Sequence, residues 1–134
     1  MRKGFTLLEL IIVIIVIGIL VAMALPQFAR VAERGRGARA QAALDMIRKA
    51  EGILFALTGA YSAAIATLDD EVPELTSMDA NDTDWAYAIV AAVGPPATFT
   101  ATATRSAGEY NGRFITVNQA GTIAGTHPVI TGTW

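Results

Sequence analysis

No cysteine occurs among the 134 residues, which excludes disulfide staples, thiolate-ligated zinc and thiol nucleophiles together. Histidine is nearly as scarce. His127 is the single one, set in a Gly-, Thr- and Pro-rich tail and read as a surface residue. Ser62, Ser77 and Ser106 lie in no nucleophile motif, so a hydrolytic triad has no parts to be built from. A glycine-rich phosphate loop is also missing. Charged residues make up 16% of the chain and the formal net charge is −2, which gives no general cationic surface for phosphate backbones. No enzymatic activity, cofactor, metal site or nucleic-acid partner is expected.

Apolar residues, by contrast, make up 53% of the chain, and they are concentrated at one end. Residues 5–25 hold sixteen large apolar side chains, with Thr6 and Glu9 as the only polar interruptions. At about 1.5–3 kcal/mol for each such side chain removed from water, the set represents roughly 25–50 kcal/mol. That is several times the ~5–15 kcal/mol net stability of a domain, so the segment belongs in lipid or in a protein assembly. A bilayer core of about 30 Å takes about 20 helical residues, and backbone groups there must pair internally. A spanning helix is therefore expected, with Gly18 its one weak helix former before Pro26, which should kink or interrupt it.

Three readings of this segment compete. A cleaved secretory signal fits the positive residues 1–3 and the small-x-small pattern Ala22-Met23-Ala24. An ordinary single-pass anchor fits the length. Neither accounts for Glu9, because a carboxylate set into an apolar run costs a few kcal/mol unless paired. The third reading uses every odd residue: Lys3-Gly4-Phe5-Thr6-Leu7-Leu8-Glu9 followed by an apolar run resembles the signature of type IV prepilins and type II secretion pseudopilins. The resemblance implies cleavage by prepilin peptidase between Gly4 and Phe5 and N-methylation of Phe5. It further implies docking of subunits through Glu9, and helix loosening at Gly18 and Pro26. The physical logic runs alongside. Cutting after Gly4 leaves an α-amine on Phe5, and Glu9 is the acid available to neutralise it. Although Phe5 and Glu9 lie one turn apart within a helix, a staggered neighbour relieves a buried acid by offering its own amine, so the contact sets register. Arg30, Arg34, Arg36 and Arg39 after the span outnumber Arg2 and Lys3 before it, which by the positive-inside rule favours the opposite orientation. The resemblance requires the N-terminus inside, and that orientation is preferred.

Beyond Pro26 the apolar pattern becomes periodic. Ala43, Met46, Ile47, Ala50, Ile53, Leu54 and Leu57 mark an amphipathic helix, expected to end at Thr58-Gly59. A continuous helix over 6–58 would run about 80 Å at 1.5 Å per residue. Six of the ten basic residues, Arg30, Arg34, Arg36, Arg39, Arg48 and Lys49, fall in this region, and seven of the twelve acidic ones lie between 69 and 84. With no aromatic residues among those basic side chains, lipid headgroups or acidic groups of neighbouring subunits are preferred to DNA as their partners. Residues 60–84 read as a connecting loop. Its Asp79, Asn81, Asp82 and Asp84 offer oxygen ligands for calcium, but without the glycine and distal glutamate of an EF-hand they read as a solvated acidic loop. Alternation predicts strands at 85–90, 99–104, 114–118 and 122–124, although Thr83 or Asp84 would equally cap a short helix ending at Gly94. Stretches 85–90 and 114–121 resemble the closing antiparallel sheet of pilin heads. Many such heads close with a disulfide, so how residues 126–134 are fixed stays open.

The expected architecture is α+β: a long N-terminal helix, its first half membrane-spanning, packed on a small antiparallel sheet. Its parts are a leader at 1–4, a membrane or filament-core helix at 5–25, an amphipathic helix at 26–58 and a globular head at 59–134. The resemblance implies a precursor crossing the inner membrane once, then a homopolymer at the cell surface built by pilus assembly machinery. A pilus pilin is preferred to a pseudopilin, since the C-terminal calcium-binding acids expected of major pseudopilins are missing after Glu109. The competing class is a membrane-anchored binding module that does not polymerise.

Overall fold

The computed structural model describes residues 4–73 and 75–133. Residues 1–3, most of the expected leader, lie outside the described residues, as do Glu74 of the expected loop and Trp134 of the tail.

Helix α1 spans Leu7–Thr58 and carries Pro26 inside it. The interruption expected at Pro26 does not occur. Proline removes one rung, the bond its missing N–H would make to the Ala22 carbonyl, and the helix continues on both sides. The end falls where expected: Gly59 takes φ 76° and its N–H donates to the Phe55 carbonyl at 2.8 Å, a left-handed closure that glycine adopts without a Cβ penalty. The chain divides into two compact units, Met1–Gly35 and Arg36–Trp134.

The second unit holds the core. After α1 come two short helices, α2 (Ile65–Leu68) and α3 (Leu75–Asn81), then strands β1 (Trp85–Ala92), β2 (Thr98–Arg105), β3 (Phe114–Asn118) and β4 (Ile123–Gly125), and a last helical turn, α4 (Pro128–Thr131). The strands form one antiparallel sheet in sequential order, with Tyr87 opposite Ala103 and Ala103 opposite Ile115. Strand side chains alternate between the faces of a sheet. Trp85, Tyr87 and Ile89 of β1 and Phe99, Ala101 and Ala103 of β2 therefore point inward and are buried, and the alternating threonines of β2 take the other face. The uncertain 85–90 segment is thus a strand.

Ala40, Ala43, Leu44, Ile47 and Ala50 of α1 join this inner face in one core. Alanine at Ala40, Ala43, Ala50, Ala101 and Ala103 keeps side-chain volume small where helix and sheet meet. Two residues of the expected stripe fall outside the core, Ile53 at 43% and Leu57 at 69% exposure. The cover stops short of them, where Tyr61 stacks on Phe55 and meets Phe99 at a tilt, at ring-centre distances of 4.5 and 4.9 Å. The loop expected over 60–84 requires correction too. It contains α2 and α3, each anchored by one fully buried leucine, Leu68 and Leu75. Helices of four and seven residues complete too few turns for periodicity to reveal them.

Candidate assembly site

Gly4, Phe5 and Thr6 precede α1 in non-helical, exposed backbone. Exposed, irregular chain ends are where proteases act most readily, and the Gly4-Phe5 junction lies in such a place. The helix begins immediately afterwards because Thr6 caps it. Its Oγ1 accepts the Glu9 N–H at 3.2 Å, and its carbonyl accepts the Leu10 N–H at 3.3 Å. Thr6-Leu7-Leu8-Glu9 thus has the sequence of a capping box, of which the threonine half is formed, with an acid in the first turn, where the partial positive charge of the helix end favours it. Thr-x-x-Glu before an apolar run is itself the sequence signal for such a cap. Glu9 consequently has a local role at the helix start in addition to whatever it does between subunits.

All sixteen large apolar side chains of residues 5–25 are exposed, from Phe5 at 82% onward, and Phe28 and Val31 extend the series. Helix α1 contains a stretch long and apolar enough to cross a bilayer, none of it buried. A continuous apolar surface on this scale marks a contact with lipid or protein. Gly18 lies within it, with nothing within 4 Å of where a Cβ would stand.

Several charges of the second unit pair with one another. Asp84 takes Arg36 at 3.5 Å, Arg105 at 3.1 Å and Arg39, and Asp82 takes Arg39 at 3.5 Å. Asp82 also accepts the N–H groups of Asp84 and Trp85 and the Tyr87 hydroxyl. Burial, then this bond to a carboxylate, pushes the Tyr87 phenol well above its ordinary value. Arg48 and Lys49 both pair with Asp45 at 2.8 Å, and Lys49 first, then Arg48, hold that carboxyl below its usual range. The expectation of lipid or neighbouring subunits for these cations is therefore corrected for Arg36, Arg39, Arg48 and Lys49, which find acids on their own chain. The acidic loop is not simply solvated either, since Asp82 and Asp84 are taken up by arginine. Among the described residues no group of three or more His, Asp or Glu is arranged to hold a metal ion.

His127 likewise departs from its surface reading. It is fully buried, its Nδ1 accepts the Val129 N–H at 3.3 Å to start α4, and its ring meets Trp85 and Tyr110 edge-on at 5.0 and 5.6 Å. A Cβ at Gly37 would stand 2.8 Å from Val129 Cγ1, so the missing side chain makes the notch that seats α4. Those contacts fix the tail.

Residues 1–25 match the family model described as the prokaryotic N-terminal methylation motif. The chain is 40% identical over 67 residues to the type IV narrow pilus major component PilA5 of Thermus thermophilus. That alignment covers 50% of this chain and 54% of the relative, so the chain spans about half the length of the curated relative it matches.

Proposed function

We propose that this chain, a member of the type IV pilin and type II secretion pseudopilin family, is a structural subunit of a type IV pilus-like filament. Prepilin peptidase cuts it between Gly4 and Phe5, the Phe5 amine is methylated, and mature copies polymerise through the first half of α1. The observation that carries this reading is the run over residues 5–25, sixteen exposed large apolar side chains with a single carboxylate, Glu9, in the first turn of α1. In the inner membrane lipid covers the apolar surface, and in the filament other subunits do. Glu9 then meets the Phe5 amine of a neighbour, since an unpaired charge in an apolar interior is strongly destabilising. Gly18 and Pro26 are where the helix gives way during packing, one a weak helix former and the other lacking an N–H. Other copies, the peptidase and the assembly machinery are its partners, and the cell surface is its destination. A pseudopilin would share every one of these features. The pilus is favoured by the relative's role as a pilus component and by the shortage of acids after Glu109.

N-terminal sequencing of the mature protein tests the reading. A methylated Phe5 start is expected, and Gly4→Leu should leave uncut precursor in the membrane. A mature chain beginning at Leu25 or Met1 overturns the processing. Electron microscopy of sheared surface material should show filaments containing the chain, and an anchored, non-polymerising module would leave that fraction empty.

A further inference from the structure

Strand β1 is an edge of the sheet, and its register fixes which of its backbone groups are spent. Asp84 accepts the Ser106 N–H, so the even-numbered residues of β1 turn toward β2. Trp85, Tyr87, Ile89 and Ala91 turn outward. Two of the outward N–H groups are already taken: Asp82 accepts that of Trp85 at 3.2 Å and Asp79 that of Tyr87 at 3.3 Å. The Tyr87 carbonyl, both backbone groups of Ile89 and the Ala91 N–H have no partner among the described residues. Those of Tyr87 and Ile89 border a groove of about 410 Å³ walled by the 63–66 segment on one side and by Thr76 and Asp79 of α3 on another, and the Ala91 N–H follows along the same edge. A row of free strand donors and acceptors inside a groove is the arrangement that binds an extended peptide as an added strand.

Charge narrows the class of occupant. Between Lys49 and Arg105 the chain has no lysine or arginine. Asp82 and Asp84 draw their cations from elsewhere, but Asp79, which lines the groove, has no ion pair among the described residues, and neither do Asp69, Asp70 and Glu71, which fall between its 63–66 and Thr76 walls in sequence. The walls are small, with alanine at 63, 64 and 66, which leaves room for side chains of an incoming strand. We infer that the β1 edge groove is a docking site for an extended, basic segment of another protein, which adds to the sheet beside Ile89 and places a cation near Asp79. A second copy of this chain is a poor donor. Its basic residues between 30 and 49 are helical, and Arg105 and Arg113 already bond to one another through their backbones across the β2–β3 turn. This inference does not rest on polymerisation through α1.

The test uses the full chain in detergent micelles and a fluorescent hexapeptide alternating lysine with valine, compared with one alternating glutamate with valine. The lysine peptide should bind, more weakly as salt is raised, and at least about tenfold more tightly than the glutamate peptide. The Ile89 and Ala91 amide protons should shift and exchange more slowly. Ala91→Pro removes an outward N–H and leaves the β2 ladder intact, as proline is tolerated on a free edge, and it should cost about three- to tenfold in affinity. Asp79→Asn keeps the acceptor for Tyr87 and removes the charge, so it should weaken binding and flatten the salt dependence. Three results would each overturn the proposal: equal affinity for the two peptides, unchanged Ile89 and Ala91 amides, or full affinity in both variants. A self-associated chain that dissociates on Ala91→Pro would also overturn it, by making a second copy the occupant.

Discussion

Glu51 shows how much one side chain can carry. It is fully buried on α1; one carboxylate oxygen accepts the Ser62 N–H at 2.9 Å and the other finds no partner among the described residues. Burial raises the carboxyl above its ordinary value, and the Ser62 bond pulls it back only in part. The folded chain thus holds this proton more tightly than the unfolded chain does. The resulting stability is fully present below the ordinary glutamate value and is lost as pH rises through the raised one. Glu51→Gln abolishes that titration, so its melting temperature should exceed the wild type's at pH 7 and converge with it near pH 4. A difference that ignores pH would refute the assignment. Glycine offers a second contrast. Gly52 has open space where a Cβ would go, so Gly52→Ala should gain about 0.8–1 kcal/mol from helix propensity. Gly37→Ala earns the same propensity but collides with Val129, and overpacking of about 1–3 kcal/mol should leave it net destabilised. Thermal denaturation of the two variants side by side settles the sign of each.

Among the elements, the start of α1 poses the sharper question, because Glu9 lies in the turn that Thr6 caps and also in the proposed intersubunit pair. Thr6→Ala removes the cap, worth about 0.5–2 kcal/mol, and keeps the carboxylate. Glu9→Gln keeps the local geometry and removes the charge. If charge pairing drives docking, Glu9→Gln should abolish filaments while Thr6→Ala only lowers their yield, as counted by electron microscopy; equal losses would make the cap the decisive feature. The contrast also shows what was legible beforehand. The apolar run and the alternating strands are long patterns, and they appear in the structure within a residue or two. Helices α2 and α3 were hidden because each is held by one leucine. Of the kink or interruption expected at Pro26, interruption does not occur, because the intact rungs on either side sustain the element. The buried His127 was missed because its partners Trp85 and Tyr110 are distant in sequence, and composition around it pointed to a surface tail.

For the molecule as a whole, apolar side chains are divided between two units, buried in one and exposed in the other. Residues 36–134 contain the core, and 5–25 contain the exposed apolar run. Residues 36–134 alone should therefore behave as a folded, soluble monomer in sedimentation, while the full chain needs detergent; aggregation of the fragment without detergent would contradict this division.

The Gly37 notch and the His127 ring hold the tail by shape and contact. A head closed in this way gains nothing from an oxidant and loses nothing to a reductant. It can complete itself wherever it first meets water, and it stays shut in surroundings that would open a sulfur-bridged counterpart.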